Sequence, residues 1–331
     1  MIFWSWSDNV PSPRQESGVL RGFADADFDI PVMASAEYKS TAALGPSGMK
    51  EGPYNWFPPS YAYSLNCRGS SGNDPCTRGA FVNRGGAWAF QTESSPGSTV
   101  PTRDSLDRFM TPAEQARMIT SPNLRLFHSG TGATDSGTSY ESFQHIGVLA
   151  TAICNRYGTW TAEPVTCPAS PPGTTDLYSD RPSIDDFVRK AHAINYETVR
   201  AQFEAYLDHS TRADSPSTGL VYWMMNKPMP SLLWNFYNYD YDQAGTYFGA
   251  RKANEALHVY YAYAAPEADL GNRTVGVSNL TGRTQNGLSV TARTYDMQGN
   301  VLTTQHAPDL ALASQGVRNQ VLSIPNPTLP D

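Results

Sequence analysis

The sequence has no cluster of basic residues and no long apolar run. Its 331 residues include 24 Lys and Arg against 31 Asp and Glu, which gives a net charge of −7. Nucleic acids and anionic membrane surfaces are therefore poor candidate partners. The longest apolar run, over residues 146–154, is far too short to cross a bilayer. We therefore expect neither a nucleic-acid partner nor a membrane partner.

A secretion signal is also missing, because Met1 is followed by no basic residue and no sustained apolar segment. The four cysteines nevertheless form two local pairs in loop-like stretches, Cys67 with Cys76 and Cys154 with Cys167. Neither pair has the short spacing of a zinc knuckle, and no cluster of His, Cys and Asp has the spacing of metal ligands. Two loop disulfides are the favoured interpretation, with four free thiols in a reduced compartment as the alternative.

Two glycosylation sequons, at Asn272 and Asn279, are typical of the same extracellular environment. The cysteine pairs and the sequons indicate an oxidising, extracellular environment, yet the sequence has no secretion signal. We therefore expect that an N-terminal region is absent from this sequence. We therefore expect an extracellular protein whose signal peptide belonged to that missing region.

Aromatic residues are abundant, with 18 Tyr, 13 Phe and 7 Trp in a chain that is 40% hydrophobic and 17% charged. This composition supports a sizeable core and excludes general disorder. Aromatic enrichment suits carbohydrate clefts, but large cores use the same residues, so composition alone favours the core.

Residues 1–262 alternate short apolar runs with helical patterns. The predicted strands are 2–6, 28–36, 86–92 and 219–225, and the predicted helices begin at Pro112 or cover 184–206 and 247–257. Such alternation predicts an α/β domain with a parallel sheet. Long loops after the strands, such as 45–63, are typical of a (β/α)₈ (TIM) barrel. Because three to five strands cannot close a barrel, we expect an incomplete one.

The pattern changes in residues 263–331. Short strands are predicted at 274–277, 287–295 and 301–305, with turn residues at 297–300. This pattern favours a partial immunoglobulin-like β-sandwich of at most five strands.

Two acids stand at the ends of predicted apolar strands, Asp8 after the first and Glu93 after the third. Taken alone, Asp8 is better explained by an Asx-turn or a helix N-cap, and Glu93 by a solvated loop. Together, at strand ends in an aromatic-rich barrel, they are candidates for the carboxylate pair of a glycoside hydrolase.

Several stretches resemble glycoside hydrolase family 2, and within it the exo-β-D-glucosaminidase branch. They occur in family order and cover most of residues 1–305; among them are SDNVP (7–11), LGPSGMKEGPY (44–54), GGAWAFQTESSPGSTVPTRDSLDRFM (85–110) and STGLVYWMMNKPMPSLLWNFY (217–237). The resemblance implies that Asp8 is the general acid/base after barrel strand 4 and Glu93 the nucleophile after strand 7. Ser7-Asp8 matches the variant of this branch, where most relatives have Asn-Glu.

Other roles follow from the resemblance with less support. Trp223 stands where the family places the residue under the sugar site, and a core tryptophan is the equal alternative. Tyr54 and Trp56 are candidates to line the cleft, and Ser7 is a candidate contact for the substrate. Met229 departs from the family, which usually has Trp there, so a stacking role at that position is in doubt.

The resemblance implies a retaining exo-β-D-glucosaminidase that releases glucosamine from chitosan and chitooligosaccharides without metal or cofactor. Because the match begins at barrel strand 4, we expect the missing N-terminal domains of the same enzyme to be its other partner. An inactive carbohydrate-binding or structural remnant is one alternative. A family 2 β-mannosidase is the other, and Ser7-Asp8 argues against it.

Overall fold

The structure is a computed structural model, and the described residues are 3–4, 10–33, 39–47, 50–51, 56–64, 86–118, 149, 152–153, 156, 184–213, 216–232, 234–264 and 273–325. Within these ranges no helix has both the length and the apolar character needed to cross a membrane.

Short parallel strands form the first part of the molecule. Strand β1 (Phe3–Trp4) pairs with β2 (Val32–Met33), and a second sheet has the order β5-β6-β7, made of Lys50–Glu51, Ala89–Ser94 and Ser217–Tyr222. A small antiparallel pair, β3 (Lys39–Thr41) with β4 (Gly45–Ser47), lies between them in sequence. The parallel pairing agrees with the α/β prediction for this part of the chain.

Five α-helices lie among the described residues: α1 (Pro13–Asp25), α2 (Arg103–Phe109), α3 (Pro112–Met118), α4 (Ile184–His209) and α5 (Gly245–Ala253). A 3₁₀ helix covers Pro59–Tyr63. The helix predicted to begin at Pro112 is confirmed, and a capping box precedes it, since Glu114 N–H donates to Thr111 Oγ1 and Thr111 N–H donates to the Glu114 carboxylate.

Helix α1 was not predicted, although its signal is present in the sequence. Ser12 and Gln15 form a reciprocal capping box, and Pro13 occupies the first helical position. The predicted strand 28–36 is correspondingly too long at its start. Phe28 is half exposed and stacks on Phe23 of α1 at 5.2 Å, so the chain enters β2 only at Val32.

Helix α4 organises the core of the α/β part. One of its faces packs against α2, α3 and the buried side chains Leu149, Ala152 and Ile153. Its C-terminal half packs against the 3₁₀ helix and against Tyr260 and Ala262. The helix thus has buried neighbours on two sides along most of its 26 residues.

The remaining strands form two antiparallel sheets. One has the order β12-β9-β8, with β8 at Leu257–Ala262, β9 at Arg273–Asn279 and β12 at Gly316–Ile324; the other pairs β10 (Gln285–Tyr295) with β11 (Val301–Leu312). Apolar side chains from both sheets share one core. Five strands in two packed sheets agree with the predicted partial sandwich.

Several elements differ from their predicted bounds. The domain boundary at 262/263 stays a prediction, and Leu257–Ala262 is a strand that is hydrogen-bonded along its length to β9. The predicted helix over 247–257 accordingly ends at Ala253. Strand β12 was not predicted, and β11 continues seven residues beyond the predicted end, from Gln305 to Leu312.

The close approach of α4 and α5 generates a prediction about stability. A Cβ at Gly249 would fall on the carbonyl oxygen of Tyr196, well inside van der Waals contact. We expect Gly249→Ala to lower the free energy of unfolding by about 1–3 kcal/mol, measured by urea denaturation.

Gly18 in α1 is the matched control, because a Cβ there meets nothing within 4 Å. Gly18→Ala should be neutral or stabilising by up to about 1 kcal/mol. Equal effects of the two substitutions would contradict the close packing of α4 on α5.

Candidate active site

The strands β6 and β7 end side by side, and their ends carry the candidate residues. Ser94 is in register with Tyr222, and the amide of Trp223 donates to the carbonyl of Ser94 at 3.0 Å. Glu93 is half-buried, and Trp223 is 43% exposed. We call this region, from Glu93 to Ser94 and from Tyr222 to Trp223, the carboxyl edge. It places an acid and an accessible indole at the same end of two paired strands.

Polar side chains of α4 bind the chain around Glu93 in antiparallel order. The contacts are His192 Nε2 to Val100 O (2.8 Å), Asn195 Nδ2 to Ser98 O (3.1 Å), Gln202 Nε2 to Ser94 Oγ, Tyr206 Oη to Gln91 Oε1 (2.8 Å) and His209 Nδ1 to Ala87 O (2.7 Å). The helix therefore fixes β6 and the loop after it over residues 87–100.

The protonation states of two of these groups suit the contacts. Burial lowers the pKa of His192, although its bonds to backbone carbonyls act in the opposite direction. The ring is therefore neutral near pH 7 and donates through Nε2. Burial raises the pKa of Tyr206, so its hydroxyl stays protonated and donates to Gln91.

The loops that follow β6 and β7 are joined to each other. Thr99 Oγ1 donates to Asn235 O and accepts from Asn235 N–H, both at 3.2 Å. Residues 95–101 are buried throughout. Gly97 has a φ of 93°, and a Cβ there would meet the backbone of Trp56 at 2.8 Å. Substitution at Gly97 would therefore disturb the segment directly after Glu93.

The structure brings Glu93 and Trp223 together and gives Trp56 a packing role. The indole nitrogen of Trp56 donates to Thr198 Oγ1 of α4 at 3.0 Å, and the ring packs against the core of that helix. This position favours packing over lining a cleft.

Several predicted site residues lie outside the described residues. They are Ser7, Asp8, Tyr54 and the sequon residue Asn272. Their roles as substrate contact, general acid/base, cleft residue and glycosylation site stay predictions.

The two predicted disulfides are not confirmed by the structure. The first pair, Cys67 and Cys76, and the second pair, Cys154 and Cys167, all fall outside the described residues. Within the described part of the chain there is accordingly no cysteine, either free or bonded. The disulfides between Cys67 and Cys76 and between Cys154 and Cys167 therefore remain predictions from sequence spacing.

The glycosylation predicted at Asn279 is wrong. The side chain is fully buried, and its Nδ2 lies 2.8, 3.1 and 2.8 Å from the carbonyl oxygens of Arg283, Leu312 and Ala313. Its Oδ1 accepts from the amide and hydroxyl of Thr281, the third residue of the sequon. A glycan on Nδ2 has no room here, so Asn279 is a structural residue.

Sequence reasoning missed the residues that support the carboxyl edge. Gln202 and Asn195 are nearly inaccessible polar residues on the buried face of α4, and no motif marks them. The successive spacings of Asn195, Gln202, Tyr206 and His209, which are seven, four and three residues, are the one available signal, since they place all four on one side of a helix.

Lys227, in the loop after β7, was also missed. Its side chain is buried, Nζ donates to the carbonyl of Ser231, and burial lowers the pKa of the ammonium to about 7.

Among the described residues there is no group of three or more His, Cys, Asp or Glu able to hold a metal ion.

Known proteins are similar to this chain in sequence and in fold. The chain is 32% identical over 320 residues to the exo-β-D-glucosaminidase of Amycolatopsis orientalis and 34% identical over 321 residues to that of Streptomyces avermitilis. These alignments cover 96% and 97% of the chain. Over nearly its whole length the chain is therefore similar to exo-β-D-glucosaminidases. It spans 26% and 30% of the length of these two relatives.

The fold comparison agrees with this similarity. The solved structure of the Amycolatopsis orientalis exo-chitosanase CsxA matches with a TM-score of 0.74 at 32% identity, covering 99% of this chain and 33% of CsxA. No protein-family model matches the sequence. The resemblance inferred from the sequence is thereby confirmed, and the described architecture, with its mixed α/β content, is similar to that of CsxA.

The burial of Asn279 generates a testable expectation. Asn279→Ala should lower the free energy of unfolding by about 2–4 kcal/mol, because buried carbonyl groups lose their donor. Peptide mass spectrometry of protein secreted from a eukaryotic host should find Asn279 unmodified. Asn286→Ala, at an exposed position on β10, is the control and should be nearly neutral. A glycan on Asn279 in folded protein would refute the assignment.

Proposed function

We propose that the chain carries the active site of a retaining exo-β-D-glucosaminidase, in which Glu93 is the nucleophile. The observation that supports this most strongly is the carboxyl edge itself. Glu93 is the penultimate residue of one parallel strand and Trp223 follows the next, in a chain 32–34% identical to exo-β-D-glucosaminidases. The chain spans 26% and 30% of the length of those relatives, so its substrate and activity are part of the proposal.

The proposed fold is part of a TIM barrel. The strands β1, β2, β5, β6 and β7 pair in parallel within two groups, and helices separate several of them in sequence. Barrel enzymes of this kind place their catalytic residues at the carboxyl ends of the strands. Glu93 and Trp223 have that position, as does Asp8 in the sequence, four residues after Trp4 of β1.

The proposed chemistry divides the reaction between two carboxyl groups. Glu93 attacks the anomeric carbon and forms a glycosyl ester, while Asp8 gives its proton to the leaving oxygen. Asp8 then removes a proton from water, which attacks the ester and releases glucosamine with its original anomeric configuration. This sequence requires the two carboxyl groups to lie roughly 5–5.5 Å apart.

The proposed substrate is chitosan and its oligosaccharides. Two variants of CsxA, one with an aspartate and one with a glutamate replaced by alanine, are known in complex with PNP-β-D-glucosamine. Those are the two residue types assigned here to the acid/base and the nucleophile. A chain of net charge −7 also attracts a polycationic saccharide, and the exposed indole of Trp223 offers a flat apolar face to a sugar ring.

We also propose an extracellular location. Its support is the sequence alone, from the cysteine pairs Cys67 with Cys76 and Cys154 with Cys167 and from the sequon at Asn272. The sequon at Asn279 no longer contributes.

Glu93→Gln tests the assignment of the nucleophile. The amide cannot form the glycosyl ester, so kcat on PNP-β-D-glucosamine should fall by at least about 10³-fold. Circular dichroism and the unfolding midpoint should be little changed. Glu255→Gln is the control, because Glu255 is an exposed acid after α5 whose carboxylate contacts Lys252 at 2.8 Å.

The outcomes separate the candidate functions. Full activity of Glu93→Gln would show that another residue is the nucleophile. Hydrolysis of β-mannosides with none of β-D-glucosaminides would replace the proposed specificity. Oligosaccharide binding without any hydrolysis by the unsubstituted chain would indicate a carbohydrate-binding remnant.

A further inference from the structure

Two exposed tyrosines project from a tight turn after β7. The turn covers residues 238–242, and we call it the tyrosine turn. Tyr239 is 46% exposed and Tyr241 is 75% exposed. Burial cannot explain the position of Tyr241, because most of its surface meets solvent.

The backbone of the turn is held in an unfavourable conformation. Tyr241 has a φ of 66°, in the left-handed region that residues other than Gly, Asn and Asp rarely adopt. Its amide donates to Asn238 O at 2.9 Å, and Asn238 N–H donates to Asp242 O at 2.8 Å. An aromatic residue at this position costs stability without burying its ring, which favours a role in binding.

Contacts from three directions fix the turn. Asp242 Oδ2 accepts from Thr102 Oγ1 at 2.9 Å and from Ser105 Oγ at 3.0 Å, at the first turn of α2. Asp240 lies 3.4 Å from the guanidinium of Arg108. Asn226 Nδ2 donates to the carbonyl of Asn238 at 2.8 Å. The two rings are therefore presented by a rigid segment and lose little entropy when a ligand binds.

The tyrosine turn belongs to the same end of the sheet as Glu93. Phe236 N–H donates to the carbonyl of Met224, directly after Trp223, and the turn begins two residues later at Asn238. Helix α2, which holds the turn, begins nine residues after Ser94 at the end of β6. The large exposed hydrophobics from this part of the chain are Trp223, Met225, Met229, Tyr239 and Tyr241.

We propose that Tyr239 and Tyr241 form a second carbohydrate-binding platform, which holds the glucosamine units beyond the bond that is cleaved. Exposed rings stack on the apolar faces of sugars, and a glucosamine unit adds an ammonium that is attracted to an aromatic face. This inference rests on the proposed function and extends it from one sugar unit to an oligosaccharide.

Binding of the glucosamine hexamer, measured by isothermal titration calorimetry, tests the platform directly. We expect Tyr239→Ala and Tyr241→Asn each to weaken binding about threefold to tenfold. Asparagine is chosen at position 241 because it tolerates the left-handed backbone. Tyr241→Phe should bind like the unsubstituted chain, since it keeps the ring. Tyr295→Ala is the matched control, because Tyr295 is 54% exposed on β10 of the sandwich.

Kinetics distinguish failure of the platform from failure of the proposed function. The double variant, which combines Tyr239→Ala with Tyr241→Asn, should keep kcat and KM on PNP-β-D-glucosamine. Its KM on the hexamer should rise. Glu93→Gln should lose hydrolysis of both substrates and retain hexamer binding. An active Glu93→Gln with weakened hexamer binding in the double variant would refute the nucleophile and leave the platform supported.

Two results would overturn the platform itself. One is unchanged hexamer affinity in the folded double variant. The other is an equal loss of affinity in Tyr295→Ala, which would show that exposed aromatic residues anywhere on the chain contribute alike.

Discussion

The contact between α4 and β6 is the interaction on which the candidate site depends. Five polar side chains of the helix bind successive positions of residues 87–100, from His209 at the start of β6 to His192 beside the loop after it. Each bond is buried or partly buried, and leaving a buried partner unpaired costs about 1–3 kcal/mol. A shift of the helix along the strand would break all of them at once, so the network fixes one register.

That register determines the positions of Glu93 and Trp223 at the carboxyl edge. Gln202 binds Ser94 next to Glu93, and Ser94 in turn accepts from the amide of Trp223. The acid and the indole are therefore positioned by one connected set of bonds. The loops after β6 and β7 are tied together through Thr99 and Asn235, so the tyrosine turn extends a surface that α4 already holds in place.

Much of the fold was predictable from periodicity and local signals. The apolar spacing of α4, the Thr111 capping box and the change to β structure near the end of the chain were all present in the sequence. The Ser12–Gln15 box was equally visible and was overlooked. Strand ends were less predictable, because pairing partners decide them: β8 belongs to the sandwich through its bonds to β9. The burial of Asn279 depends on carbonyl groups more than thirty residues away, which a sequon cannot reveal.

Covalent trapping of the glycosyl-enzyme tests the central claim most directly. A fluorinated glucosaminide with a good leaving group would slow hydrolysis of the ester, and peptide mass spectrometry would locate the sugar. The account predicts a glucosaminyl ester on Glu93. A sugar attached to any other carboxylate of the chain would contradict the assignment and the role given to the carboxyl edge.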